Sequence, residues 1–146
     1  MLCNIAALES VQRLFTHKLP GLQFKSYSER LRILGIPSLE LRRLRSDLLF
    51  CYKMLKGLIA GKPENYGLVL SKSITREHDC KLSKEHVRVE VRKNYFGNRV
   101  IDPWNALSKT VVDSQSALTF KNNLIKFDLT KFLMENFDAP GDQFSA

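Results

Sequence analysis

The apolar residues Leu41, Leu44, Leu48, Cys51, Tyr52, Leu55 and Leu58 recur at steps of three and four, which places them on one face of a helix. Arg42, Arg45, Lys53 and Lys56 lie off that face. Pro37 cannot continue a helix before it, and Ser38 can cap the new one by accepting a bond from a first-turn amide. Gly57 weakens the last turn and Gly61-Lys62-Pro63 stops it. From Leu39 to Ile59 such a rod is about 30 Å long, enough to be the spine of a domain.

The same spacing predicts a helix over Asn4 to Lys18, where Ile5, Leu8, Val11, Leu14 or Phe15, and Leu19 fall at helical steps. Asn4 is its expected cap and Pro20-Gly21 its end. A two-turn helix follows at Ser28 to Gly35, with Ser28 as cap, Leu31 and Leu34 as packing residues, and Gly35 closing it. After Gly61 the pattern loosens into a loop over 62–73, with Leu68, Val69 and Leu70 as a possible anchor. His78 to Leu82 and Val87 to Val91 read as two short strands. In the second, Val87, Val89 and Val91 alternate with Arg88, Glu90 and Arg92, and Ser83-Lys84-Glu85-His86 can turn a hairpin between the strands. Arg92 to Leu107 predicts a helix or two helical turns, with Pro103 near the start of the second and Trp104 among Tyr95, Phe96, Val100, Ile101 and Leu107. A last helix, capped by Ser114 or Ser116, carries Leu118, Phe120, Leu124, Ile125, Phe127, Leu129, Phe132 and Leu133.

The expected fold is therefore α+β and mainly α: a helical domain with one long amphipathic central helix, a small β-hairpin and C-terminal helices. The domain spans 1–135, with helices in 1–60, loop and hairpin in 61–92 and helical segments in 93–134; 136–146 reads as a loose, mildly acidic tail.

Composition changes this picture in two respects. The 44% apolar content supports a modest core in one domain of 146 residues. The net charge of +8 points to an anionic partner, nucleic acid first and an acidic membrane surface second. Lys25 to Lys62 holds nine Lys or Arg against three Asp or Glu, a net of +6. Cys3, Cys51 and Cys80 have no close spacing, which speaks against a disulfide framework and for a reducing compartment. The first residues lack a basic leader and meet Glu9 early, and no run approaches a membrane span. The expectation is an intracellular protein of nucleus or cytoplasm. A helix opening almost at Met1 also suggests a piece of a longer protein.

Little in the chain points to catalysis. The carboxylates are scattered, whereas two-metal phosphoryl chemistry needs them close together. Glu77-His78-Asp79-Cys80 with His86 is the densest set of candidate ligands, but it lacks paired metal-binding spacing. His78 and Cys80 would share a face of a strand. Cys51 sits on the apolar face of the long helix and reads as core. Gly57 and Gly61-Lys62-Pro63 do not have Walker spacing. No enzyme activity, cofactor or small-molecule substrate is expected. The candidate nucleic-acid contacts are Arg42, Arg43, Arg45, Lys53, Arg92, Lys93 and Arg99, whose charge suits phosphates. Tyr95 and Phe96 could stack on unpaired bases; the competing reading places Tyr95, Phe96 and Trp104 in the core.

Several strings carry a resemblance. They are Leu8-Glu9-Ser10-Val11-Gln12-Arg13; Tyr27-Ser28-Glu29-Arg30-Leu31-Arg32 running on to Asp47; and Tyr52-Lys53-Met54-Leu55-Lys56-Gly57. Further along come Val91-Arg92-Lys93-Asn94-Tyr95-Phe96, Arg99-Val100-Ile101-Asp102-Pro103-Trp104-Asn105-Ala106-Leu107, and Ser116 to Leu124. Together, over residues 5–134, they resemble the region after the polymerase core in LINE-type (non-LTR, jockey-like) retrotransposon reverse transcriptases. The resemblance implies a thumb-like accessory region of an RNA-directed DNA polymerase, gripping template-primer or element RNA. The family's aromatic-x-Asp-Asp turn, endonuclease residues and terminal zinc knuckle have no counterpart here, so no catalytic residue carries over. The alternative it leaves open is a degenerate remnant or protein-interaction module that packs on a reverse transcriptase core.

Overall fold

The computed structural model describes residues 2–72, 78–84 and 95–134, with side chains from residue 6 onward. These residues are mainly helical: α1 (Leu2–His17), α2 (Tyr27–Leu34), α3 (Leu39–Leu55), α4 (Phe96–Asn105), α5 (Lys109–Val112) and α6 (Ala117–Lys126), with 3-10 turns at Pro63–Tyr66 and Thr130–Phe132. They form two compact units, 2–43 with 129–134, and the described part of 44–128.

In the first unit α1 packs on α2. The cap of α2 is Ser26, not Ser28. Its hydroxyl accepts from the Glu29 amide while the Glu29 carboxylate accepts from the Ser26 amide at 2.8 Å, a reciprocal capping box. Gly35, at φ 63°, closes the helix: its amide donates to Arg32 and that of Ile36 donates to Leu31. Ser38 caps α3 as expected, its hydroxyl accepting from the Leu41 amide at 3.1 Å.

The main departure from the expected pattern is α1. Its helical periodicity is present, but the helix is turned inside out. Glu9 and Thr16 are buried and Gln12 and Arg13 half-buried, while Leu8, Val11, Leu14 and Phe15 are exposed by 59 to 64%. Glu9, Gln12 and Thr16 each find a hydrogen-bond partner. Glu9 accepts from the Tyr27 hydroxyl and from the amides of Leu39 and Glu40 at the start of α3. Gln12 donates to the Pro37 carbonyl at 3.2 Å. The Arg30 guanidinium donates to the Thr16 hydroxyl and to the Lys25 and Arg13 carbonyls. Arg13 and Arg30 also lie over the Tyr27 ring at 5.3 and 5.6 Å. Because α1 caps α3 and anchors the α1–α2 connection through hydrogen bonds, this unit orients the helix by its polar face.

The second unit has an apolar core. Leu44, Leu48, Cys51 and Tyr52 of α3 are buried with Val100, Ile101 and Trp104 of α4, Val112 of α5, and Phe120 and Leu124 of α6. Tyr52 stacks on Phe120 at 4.3 Å and donates its hydroxyl to the Ser114 carbonyl at 2.5 Å. Helix α3 ends at Leu55 instead of reaching Ile59, because Gly57 takes φ 67° and the Leu58 amide donates back to the Lys53 carbonyl. α4 is one helix rather than two turns; Pro103 lies inside it, and the helix ends two residues later. α6, capped by Ser116, stops at Lys126 rather than running to Leu133, and Phe127 is extended at ψ 133°.

The hairpin is not seen among the described residues. Its second arm, Val87 to Val91, lies outside the described residues. Its first arm is no strand, since Asp79-Cys80 form a turn and the described residues contain a single antiparallel bridge, Leu70 to Leu82. The side chain of Asn105 takes the place of a strand partner. Its amide accepts from the Leu82 N–H at 2.8 Å and donates to the Leu82 carbonyl at 2.9 Å. Trp104 donates its indole N–H to the Cys80 carbonyl at 2.8 Å, and Lys81 donates to the Asn105 carbonyl. The Leu68-Val69-Leu70 anchor is reduced to Leu68, which is buried, while Val69 and Leu70 are exposed.

Candidate nucleic-acid interface

The expected contact residues are placed unequally. In the first unit Arg42 and Arg43, in the first turns of α3, are exposed. In the second unit Lys53 is half-buried, and the neighbouring Lys56 and Lys62 are exposed, with Lys56 Nζ 5.9 Å from the Tyr52 ring centre. Arg45 is half-buried and donates to the Ile125 carbonyl at 3.4 Å. Arg99 is committed more firmly: Nε and one terminal nitrogen meet the two carboxylate oxygens of Asp47 at 2.8 and 3.0 Å, and the guanidinium lies 5.8 Å from the Phe96 ring centre. Such a two-pronged pair fixes the guanidinium plane, so Arg99 ties α4 to α3. Arg92 and Lys93 lie outside the described residues.

The aromatic residues divide between core and surface. Trp104 is core, 1% exposed. Phe96 is half-buried, edge-on to Phe50 at 5.2 Å. Tyr95, immediately before α4, is half exposed and is the one member of the trio that presents a ring to solvent.

The remaining candidate chemistry changes character in the fold. His78 is buried and edge-on to Trp104 at 6.3 Å. The turn at Asp79-Cys80 removes the strand that would have put His78 and Cys80 on one face. Glu77 and His86 lie outside the described residues, and among the described residues no group of three His, Cys, Asp or Glu could hold a metal ion. Cys51 is buried in the core, where desolvation pushes its thiol well above the usual range; that environment suppresses the thiolate a nucleophile needs. Burial, followed by the bond to Glu9, pushes the Tyr27 phenol up as well. Among the described residues no helix is long and apolar enough to cross a membrane.

Sequence reasoning missed two residues that organise these surfaces. Glu9 was signalled by its position among the helical steps of α1, where one carboxylate stands on the side opposite the apolar stripe. Asn105 had no signal, because its role depends on where residue 82 comes to rest.

Comparison with family models, curated proteins and solved structures finds no match to this chain.

Proposed function

We propose that this chain is a non-catalytic nucleic-acid-binding segment of a retrotransposon RNA-directed DNA polymerase, gripping template-primer or element RNA. The supporting observation is the distribution of charge. Six of the eight excess positive charges lie between Lys25 and Lys62, where Arg42, Arg43, Lys56 and Lys62 are exposed. Surface cations of this density meet phosphates by displacing counterions, so affinity falls steeply with salt. The test is binding of the purified chain to a short RNA hairpin and to a DNA duplex from about 50 to about 200 mM salt. Replacing Arg42 and Arg43 by Ala should reduce the slope of log affinity against log salt by about one per lost contact. An unchanged slope sinks the role of these arginines, and a folded chain that binds neither nucleic acid sinks the reading.

A second reading, a protein-interaction module that packs on a polymerase core, is favoured by the outward apolar face of α1. Unlike the arginines, Leu8, Val11, Leu14 and Phe15 carry no charge to meet a phosphate, and their contiguity on one helix face suits an apolar protein partner.

A further inference from the structure

α1 presents to solvent what an amphipathic helix normally buries. Leu8, Val11 and Phe15 stand at i, i+3 and i+7, with Leu14 beside them, and each is more than half exposed. This is the anchor spacing by which helices dock on apolar partners. The face is fixed in place, because rolling α1 inward would strip Glu9 from Tyr27 and from the Leu39 and Glu40 amides and leave a buried carboxylate unpaired.

Charge and area select the occupant. Glu9, the sole carboxylate of α1, is turned inward, and the stripe runs on to exposed His17 and Lys18. The four anchors offer on the order of 400 Å², within the range of functional surface patches but about half of what each partner gives a stable dimer. A second copy would also bring a second net charge of +8 against the first. We propose that the outer face of α1 docks an amphipathic helix of another polypeptide, apolar along the contact and acidic along its flanks. This rests on the protein-interaction reading above and adds the chemistry of the partner.

The probe is a labelled synthetic helical peptide with leucines at three- and four-residue steps and glutamates elsewhere, paired with a twin carrying lysines in place of the glutamates. Fluorescence anisotropy with the full chain should show saturable binding of the glutamate peptide. The lysine twin should bind at least about tenfold more weakly, as should the glutamate peptide to the double variant Val11→Ser, Phe15→Ser, consistent with two lost anchors. Both substitutions are at exposed positions, and an unchanged melting curve shows that the variant folds. Equal binding of both peptides overturns the acidic partner and leaves the docking reading standing. Binding of neither overturns both. Sedimentation of the wild-type chain as a dimer that the double variant dissociates makes a second copy the occupant. Anionic vesicles that bind the wild type but not the variant make it a membrane surface. Either of these results overturns the proposal.

Discussion

Glu9 shows what a single side chain does here. It is the only carboxylate on α1, and it is used inside the protein, where it joins α1 to Tyr27 of α2 and to the first amides of α3. Those amides are the unpaired donors every helix start presents, so one acidic group satisfies a helix terminus and a phenol together. The same contact makes stability depend on alkaline pH. Burial and Glu9 raise the Tyr27 pKa above its ordinary 10.0. The unfolded chain therefore loses the phenol proton first, and this contribution to stability is fully present below that pH and is lost as pH rises through the folded value. Tyr27→Phe should remove that loss. Urea titrations from about pH 8 to about pH 11 should show a smaller fall in stability for the variant than for the wild type, and parallel curves would count against it.

The helices were legible where their ends are written locally, and less so where an end depends on backbone sign or on neighbours. Ser38, Gly35 and Ser116 do what their positions imply. Ser26 was overlooked for Ser28, although the Ser26-x-x-Glu29 spacing is a capping box in the sequence itself. The expected length of α3 failed at Gly57, which reverses to positive φ and ends the helix rather than merely weakening it. The expected first strand failed because Asp79-Cys80 turn and Leu82 pairs with Leu70 and with the Asn105 amide. Two substitutions test how elements are held together. A methyl group at Gly97 would lie 2.6 Å from the Tyr66 carbonyl oxygen and 3.0 Å from that of Gly67. Gly97→Ala should therefore destabilise by about 1–3 kcal/mol, the cost of forced overpacking. Asn105→Ala should cost about 1–3 kcal/mol by leaving the Leu82 N–H unpaired. Hydrogen exchange should speed up at Leu82, and equal exchange in wild type and variant would rule the clamp out.

Across the whole molecule the apolar residues are divided between two jobs. In the second unit Leu48, Cys51 and Tyr52 of α3, Val100, Ile101 and Trp104 of α4 and Phe120 and Leu124 of α6 are buried; Leu8, Val11, Leu14 and Phe15 of α1 are not. Leu48 is 0% exposed, and Leu48→Ala should cost about 3–5 kcal/mol as a buried leucine truncation. Leu8, which has the same chemistry and the same helical spacing but is 59% exposed, should cost within about 0.5 kcal/mol when changed to Ala, as surface substitutions do. Chemical denaturation of the two variants compares them directly, and equal losses would place Leu8 in a core.

The sequence by itself determined five of the six described helices, α5 excepted, the caps Ser38 and Ser116, and the excess of positive charge, because periodicity, capping and composition are properties of neighbouring residues. Only the tertiary structure decided which way α1 faces, since a helical stripe specifies two faces without saying which one meets the protein. It also decided that Arg99 is held by Asp47, fifty-two positions earlier in the chain, and that Asn105 completes the bridge at Leu82. Each of these depends on a partner brought close by packing, and spacing along the chain carries no record of it.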